Sequence, residues 1–133
     1  MPNTIFEDII AGNIPCHKVF ESNGALAFLD INPTALGHTL VIPKKPSKTV
    51  FDISEDSLCE VMQAVKEVTN ILKKKLGATG VNLLNASGKD AQQTVDYFHI
   101  HVIPRFSDDN KDFWPFEVNE DIDLKNVLKA LLQ

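Results

Sequence analysis

Between Ser54 and Gly77 the chain carries one long amphipathic period, and everything around it must supply that helix with a partner. Leu58, Val61, Val65, Val68, Leu72 and Leu76 recur at spacings of three and four, which gives a single apolar stripe. Ser54 opens the stretch, Glu55 and Asp56 fill the first turn, three lysines (73–75) fill the last, and Gly77 suits the C-terminal cap. The segments on either side are short and strand-like. Residues 18–22 and 25–30 flank Asn23-Gly24, a strong hairpin signal. After a break from Pro33 to Gly37, residues 39–42 form a third run that Pro43 ends. Residues 81–85 and 95–103 are the fourth and fifth, the latter ended by Pro104, with a polar loop at 86–93 between them. Thr4-Ile5-Phe6-Glu7 reads as the capping box of a short first helix that stops at Gly12. Asp121 or Asp123 caps a last short helix reaching Leu132. Helices that bracket and interrupt hairpin-compatible strands predict an α+β domain with a mainly antiparallel sheet. Strand order is open at this point.

With 133 residues the chain has the length of one domain, 1–133, and can bury a core without disulfides or a structural metal. A hydrophobic share of 44% excludes disorder of the whole chain. Its apolar runs are too short to span a membrane, and the N-terminus lacks the basic-then-apolar pattern of a secretory signal. Cys16 and Cys59 show no framework spacing, so a reducing, cytoplasmic setting is expected. The net charge of −5, with only two small lysine clusters, argues against a nucleic-acid partner. It leaves room for one local site that holds a small anion.

Chemistry concentrates in residues 85–105. In a strand, Tyr97, His99 and His101 share one face, while Phe98, Ile100 and Val102 share the other. Two imidazoles about 7 Å apart along a strand can converge on one ligand. The same spacing also fits two solvated surface histidines. A zinc site is disfavoured, because only His17, His38 and the two isolated cysteines remain as further ligands. The adjoining loop, 85–95, offers an amide, hydroxyls and backbone N–H groups that suit phosphate oxygens. Phosphate donors beside a neutral imidazole make a phosphoryl-transfer site, with histidine as covalent nucleophile.

The run Gln93-Thr94-Val95-Asp96-Tyr97-Phe98-His99-Ile100-His101-Val102-Ile103 resembles the signature of the histidine triad, or HIT, family, with Tyr97 in place of the first histidine. Further segments agree in order: Ile5-Phe6 with Ile9-Ile10-Ala11-Gly12, then 26–33, then 37–44, then Asn85. The likeness runs from about Ile5 to Phe106, which leaves 107–133 as a C-terminal extension. It is nearer the Hint-like branch of nucleotide hydrolases than the dinucleoside polyphosphate hydrolases. What it implies is a five-stranded antiparallel sheet, a homodimer, and cleavage at the α-phosphate of a purine nucleotide. His99 would be the nucleophile, forming a nucleotidyl-histidine that water hydrolyses. His101 would contact the phosphate and the departing group, with His38 in support. Asp30 would accept from the ribose hydroxyls, and Ile31, Phe6 and Ile9 would line the base pocket. Asn85, Gln93 and Thr94 would orient the phosphate and leaving group. No cofactor is implied.

Residue by residue, other readings stand beside these. Phe6, Ile9 and Ile31 suit a plain core, Asp30 and His38 suit turns, and Asn85 and Gln93 suit bonds to their own loop. Some bacterial members of the family hold a structural zinc. The matching positions here are Thr4, Glu7, Pro46 and Tyr97, which make no zinc set. Gln92 stands where glycine is common, and Asp96 lies on the face opposite His99. Trp114-Pro115 falls in a tail that shapes specificity near the partner subunit in this family. Besides an enzyme, the readings left open are a nucleotide-binding module with little turnover and a metal-binding structural protein.

Overall fold

The computed structural model describes residues 3–113 and 117–133; Trp114 and Pro115 lie outside them. In chain order the elements are α1 (Ile5–Ile10), β1 (Lys18–Glu21), β2 (Ala25–Leu29), β3 (Thr39–Pro43), α2 (Glu55–Leu76), β4 (Gly80–Leu84), β5 (Ile100–Arg105) and α3 (Leu124–Leu131), with a 3₁₀ turn at Lys89–Ala91. The five strands form one sheet in the order β1-β2-β3-β5-β4, and each neighbouring pair is antiparallel.

Local chemistry accounts for most of the boundaries. Thr4 caps α1 through a capping box with Glu7, the backbone N–H of each residue donating to the other's side chain. Ser54 caps α2, and Gly77 closes it in the left-handed conformation. Asp123, rather than Asp121, caps α3. The sheet separates two apolar layers. On one side Ala25, Ala27, Val41, Phe98, Ile100 and Val102 meet Val61, Ala64, Val65, Val68 and Leu72 of α2. On the other, Leu26, Phe28, Leu40, Ile42 and Tyr97 close around Phe6 of α1.

The fifth strand departs from the sequence reading. It begins at Ile100 instead of residue 95 and runs through Pro104 to Arg105. Residues 95–99 bend: the Tyr97 N–H turns back to the Val95 carbonyl, and the Phe98 N–H donates to the Ser47 carbonyl at 2.7 Å. A loop far away in sequence takes the hydrogen bond that a strand would have made in the sheet. Face alternation survives the bend, because Phe98 joins the α2 layer while Tyr97 and His99 turn toward Phe6. Pro104 is tolerated because β3 pairing ends at Val102, leaving Pro104 opposite only Val81 of the edge strand β4.

Candidate functional site

The end of β2, the start of β5 and α1 enclose a cavity of ≈ 450 Å³. Phe6, Ile9, Asp30, Ile31, Thr94, His99 and His101 all line it. Phe6 is buried and sets its ring edge-on to His99, with centroids 5.2 Å apart, whereas Ile31 stands exposed at the rim. Ile14, Pro15, Cys16 and His17, from the connection into β1, complete the wall.

His38 lies behind this wall and reaches the site through His101. Gly37 makes the approach possible. Its φ is +92°, and a Cβ there would stand 2.8 Å from the side chains of Leu72 and Leu76. His38 then places Nε2 at 2.9 Å from Nδ1 of His101 and 3.4 Å from Oδ2 of Asp30. Asp30 is anchored by its other oxygen, which accepts from the Asn32 N–H at 2.8 Å.

These contacts assign the proton on each ring. The backbone N–H of Thr34 donates to Nδ1 of His38 at 3.1 Å, so the neutral ring carries its hydrogen on Nε2. That hydrogen points at Nδ1 of His101, which leaves His101 with its own hydrogen on Nε2. His99 has the opposite arrangement. Its Nδ1 donates to the Tyr97 carbonyl at 2.7 Å, so Nε2 keeps a free lone pair. One cavity therefore receives a nucleophilic nitrogen from His99 and a donor N–H from His101, with ring centroids 5.1 Å apart. Burial holds all three imidazoles below their ordinary pKa, and the nearby Asp30 carboxylate partly offsets it. His101, which also faces the other two rings, is pushed down to about 4. All three are therefore neutral at pH 7.

Asn85 and Gln93 do not line the cavity. The Asn85 amide donates to the His99 carbonyl at 3.0 Å and its oxygen accepts from Ser87. Gln93 accepts from the Gly88 N–H and donates to the carbonyls of Lys48 and Val95. Asn85 holds the backbone at His99 in place, and Gln93 holds the loop. Gln92 adopts φ 65°, a left-handed conformation that glycine takes with less strain. Asp96 faces outward toward Lys48, 3.7 Å away.

Tyr97 also stays out of the cavity. Its ring is buried beside Phe6, and its hydroxyl donates to the Pro43 carbonyl at 2.5 Å. Burial, reinforced by Glu7, pushes the phenol up to about 12, so it remains a neutral donor. Thr4 and Glu7 are committed to their capping box. The four positions that correspond to a structural zinc set thus hold a hydroxyl, a carboxylate, a proline and a phenol, which do not fit zinc. Thr34 is the residue that sequence reasoning missed. Its signal is faint: a hydroxyl residue four before a histidine, within the break that follows Pro33.

Comparison with known proteins agrees with this architecture. The model of the HIT domain matches residues 11–108. An uncharacterised HIT-like protein of Methanocaldococcus jannaschii is 43% identical over 96% of this chain and 97% of its own length. An adenosine 5'-monophosphoramidase of Schizosaccharomyces pombe is 43% identical over 76% of this chain and 73% of that protein. The crystal structure of a HIT family protein from Bacillus anthracis superposes with a TM-score of 0.88 at 35% identity, covering 98% of this chain and 93% of the other. The chain belongs to the HIT family.

Proposed function

We propose that this chain is a nucleotide hydrolase that cleaves at the α-phosphate of a purine nucleoside phosphoramidate, or a related nucleotide conjugate, through a nucleotidyl intermediate on Nε2 of His99. The observation that carries this reading is the pair of opposite ring states in one cavity: a lone pair on His99 and an N–H on His101. The relative in S. pombe is an adenosine 5'-monophosphoramidase, which supports the same substrate class.

In the first step Nε2 of His99 bonds to phosphorus and the bond to the leaving nitrogen breaks. That nitrogen keeps the electron pair and departs as an amine with a proton from water. The His101 N–H hydrogen-bonds a phosphoryl oxygen or the departing atom as charge develops there. Phosphorylation makes the His99 ring cationic. The Tyr97 carbonyl on Nδ1 and the Asp30 carboxylate nearby both stabilise that charge. Water then attacks phosphorus, and neutral His99 is regenerated. Asp30 serves the ribose hydroxyls with Oδ2, since Oδ1 is occupied by Asn32. The base lies between Phe6, Ile9 and Ile31. Strand β4 is a sheet edge with exposed Val81, Leu83 and Leu84, which supports a homodimer built across it.

The test is a rapid-quench experiment with an adenosine phosphoramidate labelled at phosphorus. The expected result is label on His99, found by peptide mapping, that appears and decays at rates consistent with turnover. Turnover with no label on His99 under any quench condition rejects the covalent route, and absence of turnover rejects the enzyme.

A further inference from the structure

We propose that Asp30, His38 and His101 form a binding site for a divalent transition metal, with zinc the best match, and that metal bound there blocks the nucleotide site. Three ligand atoms carry the inference: Nε2 of His38, Nδ1 of His101 and Oδ2 of Asp30, which lie within 4.8 Å of one another. Their separations are 2.9, 3.4 and 3.9 Å. A triangle with those sides has a centre about 2.0 Å from each corner, and zinc binds imidazole nitrogen at about 2.0–2.1 Å and carboxylate oxygen at about 2.0–2.2 Å. The three atoms therefore reach one ion with little movement. Two nitrogens and one oxygen suit zinc, and a fourth position remains for water.

Ring chemistry also permits the switch. His101 already carries its hydrogen on Nε2, so its Nδ1 lone pair is available. His38 must move its hydrogen from Nε2 to Nδ1. The Thr34 hydroxyl oxygen, 3.3 Å from Nδ1, can accept that hydrogen, while the Thr34 backbone N–H, 3.1 Å from Nδ1, gives up its acceptor there. A ligating histidine needs such an outer acceptor for its second nitrogen. Metal in this position takes the place of the hydrogen shared by His38 and His101 and occupies the Asp30 oxygen assigned to ribose. Binding stands apart from the proposed hydrolase activity; only the predicted inhibition rests on that reading.

The experiment measures zinc binding to the full, chelator-stripped chain by competition with a chromophoric chelator, and cobalt binding by absorption. One equivalent of zinc should bind, and cobalt should give the visible bands of a tetrahedral nitrogen–oxygen site without the ultraviolet band of a thiolate. His38→Ala and Asp30→Asn should each weaken zinc binding at least tenfold. Thr34→Val, which keeps the backbone N–H and removes the outer acceptor, should weaken it by about tenfold. Replacing Cys16 and Cys59 together by serine should leave it within twofold. Saturating adenosine monophosphate should compete with the metal. Failure to bind zinc, a thiolate band with cobalt, or loss of binding in the double cysteine variant overturns the proposal. If zinc binds as described and the chain turns over no phosphoramidate, the metal site stands and the hydrolase reading fails.

Discussion

Replacing Tyr97 by phenylalanine should cost stability and spare the chemistry. The phenol is 1% exposed and donates at 2.5 Å to the carbonyl of Pro43, itself a fully buried residue. Removing the hydroxyl forfeits a hydrogen bond worth about 0.5–1.5 kcal/mol net and leaves a buried acceptor one partner short, so a loss of about 1–3 kcal/mol is expected. In a domain of this size that corresponds to a fall in Tm of roughly 3–10 °C. The effect on kcat/KM should stay below threefold. Residue 97 reaches His99 through its backbone carbonyl, which every substitution retains, and its side chain does not enter the cavity. Tyr97→His should be less stable, by about 2–4 kcal/mol, because the shorter ring leaves a void beside Phe6. Its rate should change by less than tenfold. Thermal unfolding and phosphoramidate turnover on the three proteins decide the matter. A phenylalanine variant as stable as the parent refutes the structural role given to the hydroxyl. A histidine variant faster by more than a hundredfold shows the parent to be an impaired enzyme and favours a nucleotide-binding module.

His99→Ala should abolish hydrolysis while adenosine monophosphate still binds, since the proposed ground-state contacts are with Asp30 and the apolar pocket; near-normal turnover would remove the nucleophile assignment. Asp30→Ala should weaken ribonucleotide binding by about 1.5–3 kcal/mol, and calorimetry with the deoxyribose analogue should show little difference between parent and variant. Leu83→Lys places a charge on the exposed β4 edge, so sedimentation should find a dimeric parent and a monomeric variant, and a dimeric variant argues against that interface. Acid should destabilise the metal-free fold. His101 takes a proton near pH 6.5 when unfolded and near 4 when folded, so its contribution is intact above 6.5 and is lost as pH falls from 6.5 toward 4. That window is worth roughly 3 kcal/mol from His101, with His38 and His99 acting in the same direction. Urea midpoints that stay level between pH 7 and 4.5, with chelator present, would contradict it.

The elements that could be read along the chain are those whose determinants are local. Thr4 with Glu7, Ser54 with Gly77, and Asn23-Gly24 each set a boundary through neighbours a few residues away, and the structure places helices and a hairpin there. The alternation of residues 95–103 correctly separated Tyr97, His99 and His101 from Phe98, Ile100 and Val102. It misplaces the start of β5 because the Phe98 N–H in the bent segment donates to the carbonyl of Ser47, about fifty positions earlier. The contact between His38 and His101 spans 63 residues, and no periodicity encodes it. Asn85 and Gln93 were visible as polar loop residues. Whether their amides face a ligand or the loop backbone depends on how that loop folds over Lys48 and His99.

Much of the site's chemistry is set by main-chain atoms. The Thr34 N–H fixes the tautomer of His38 and through it that of His101. The Tyr97 carbonyl fixes the tautomer of His99, and the His99 carbonyl is in turn held by Asn85. A sequence names side chains, so it is least informative where a side chain is not the working group. Position 97 is such a place. For the chemistry its side chain is exchangeable, at the cost in stability of the hydroxyl bond to Pro43, while the bend at residues 95–99 must be kept. Position 38 is the opposite case, because its side chain itself accepts from Thr34 on one edge and donates to His101 on the other. By this logic the proposed reaction should survive the loss of the first triad histidine and should not survive the loss of His38.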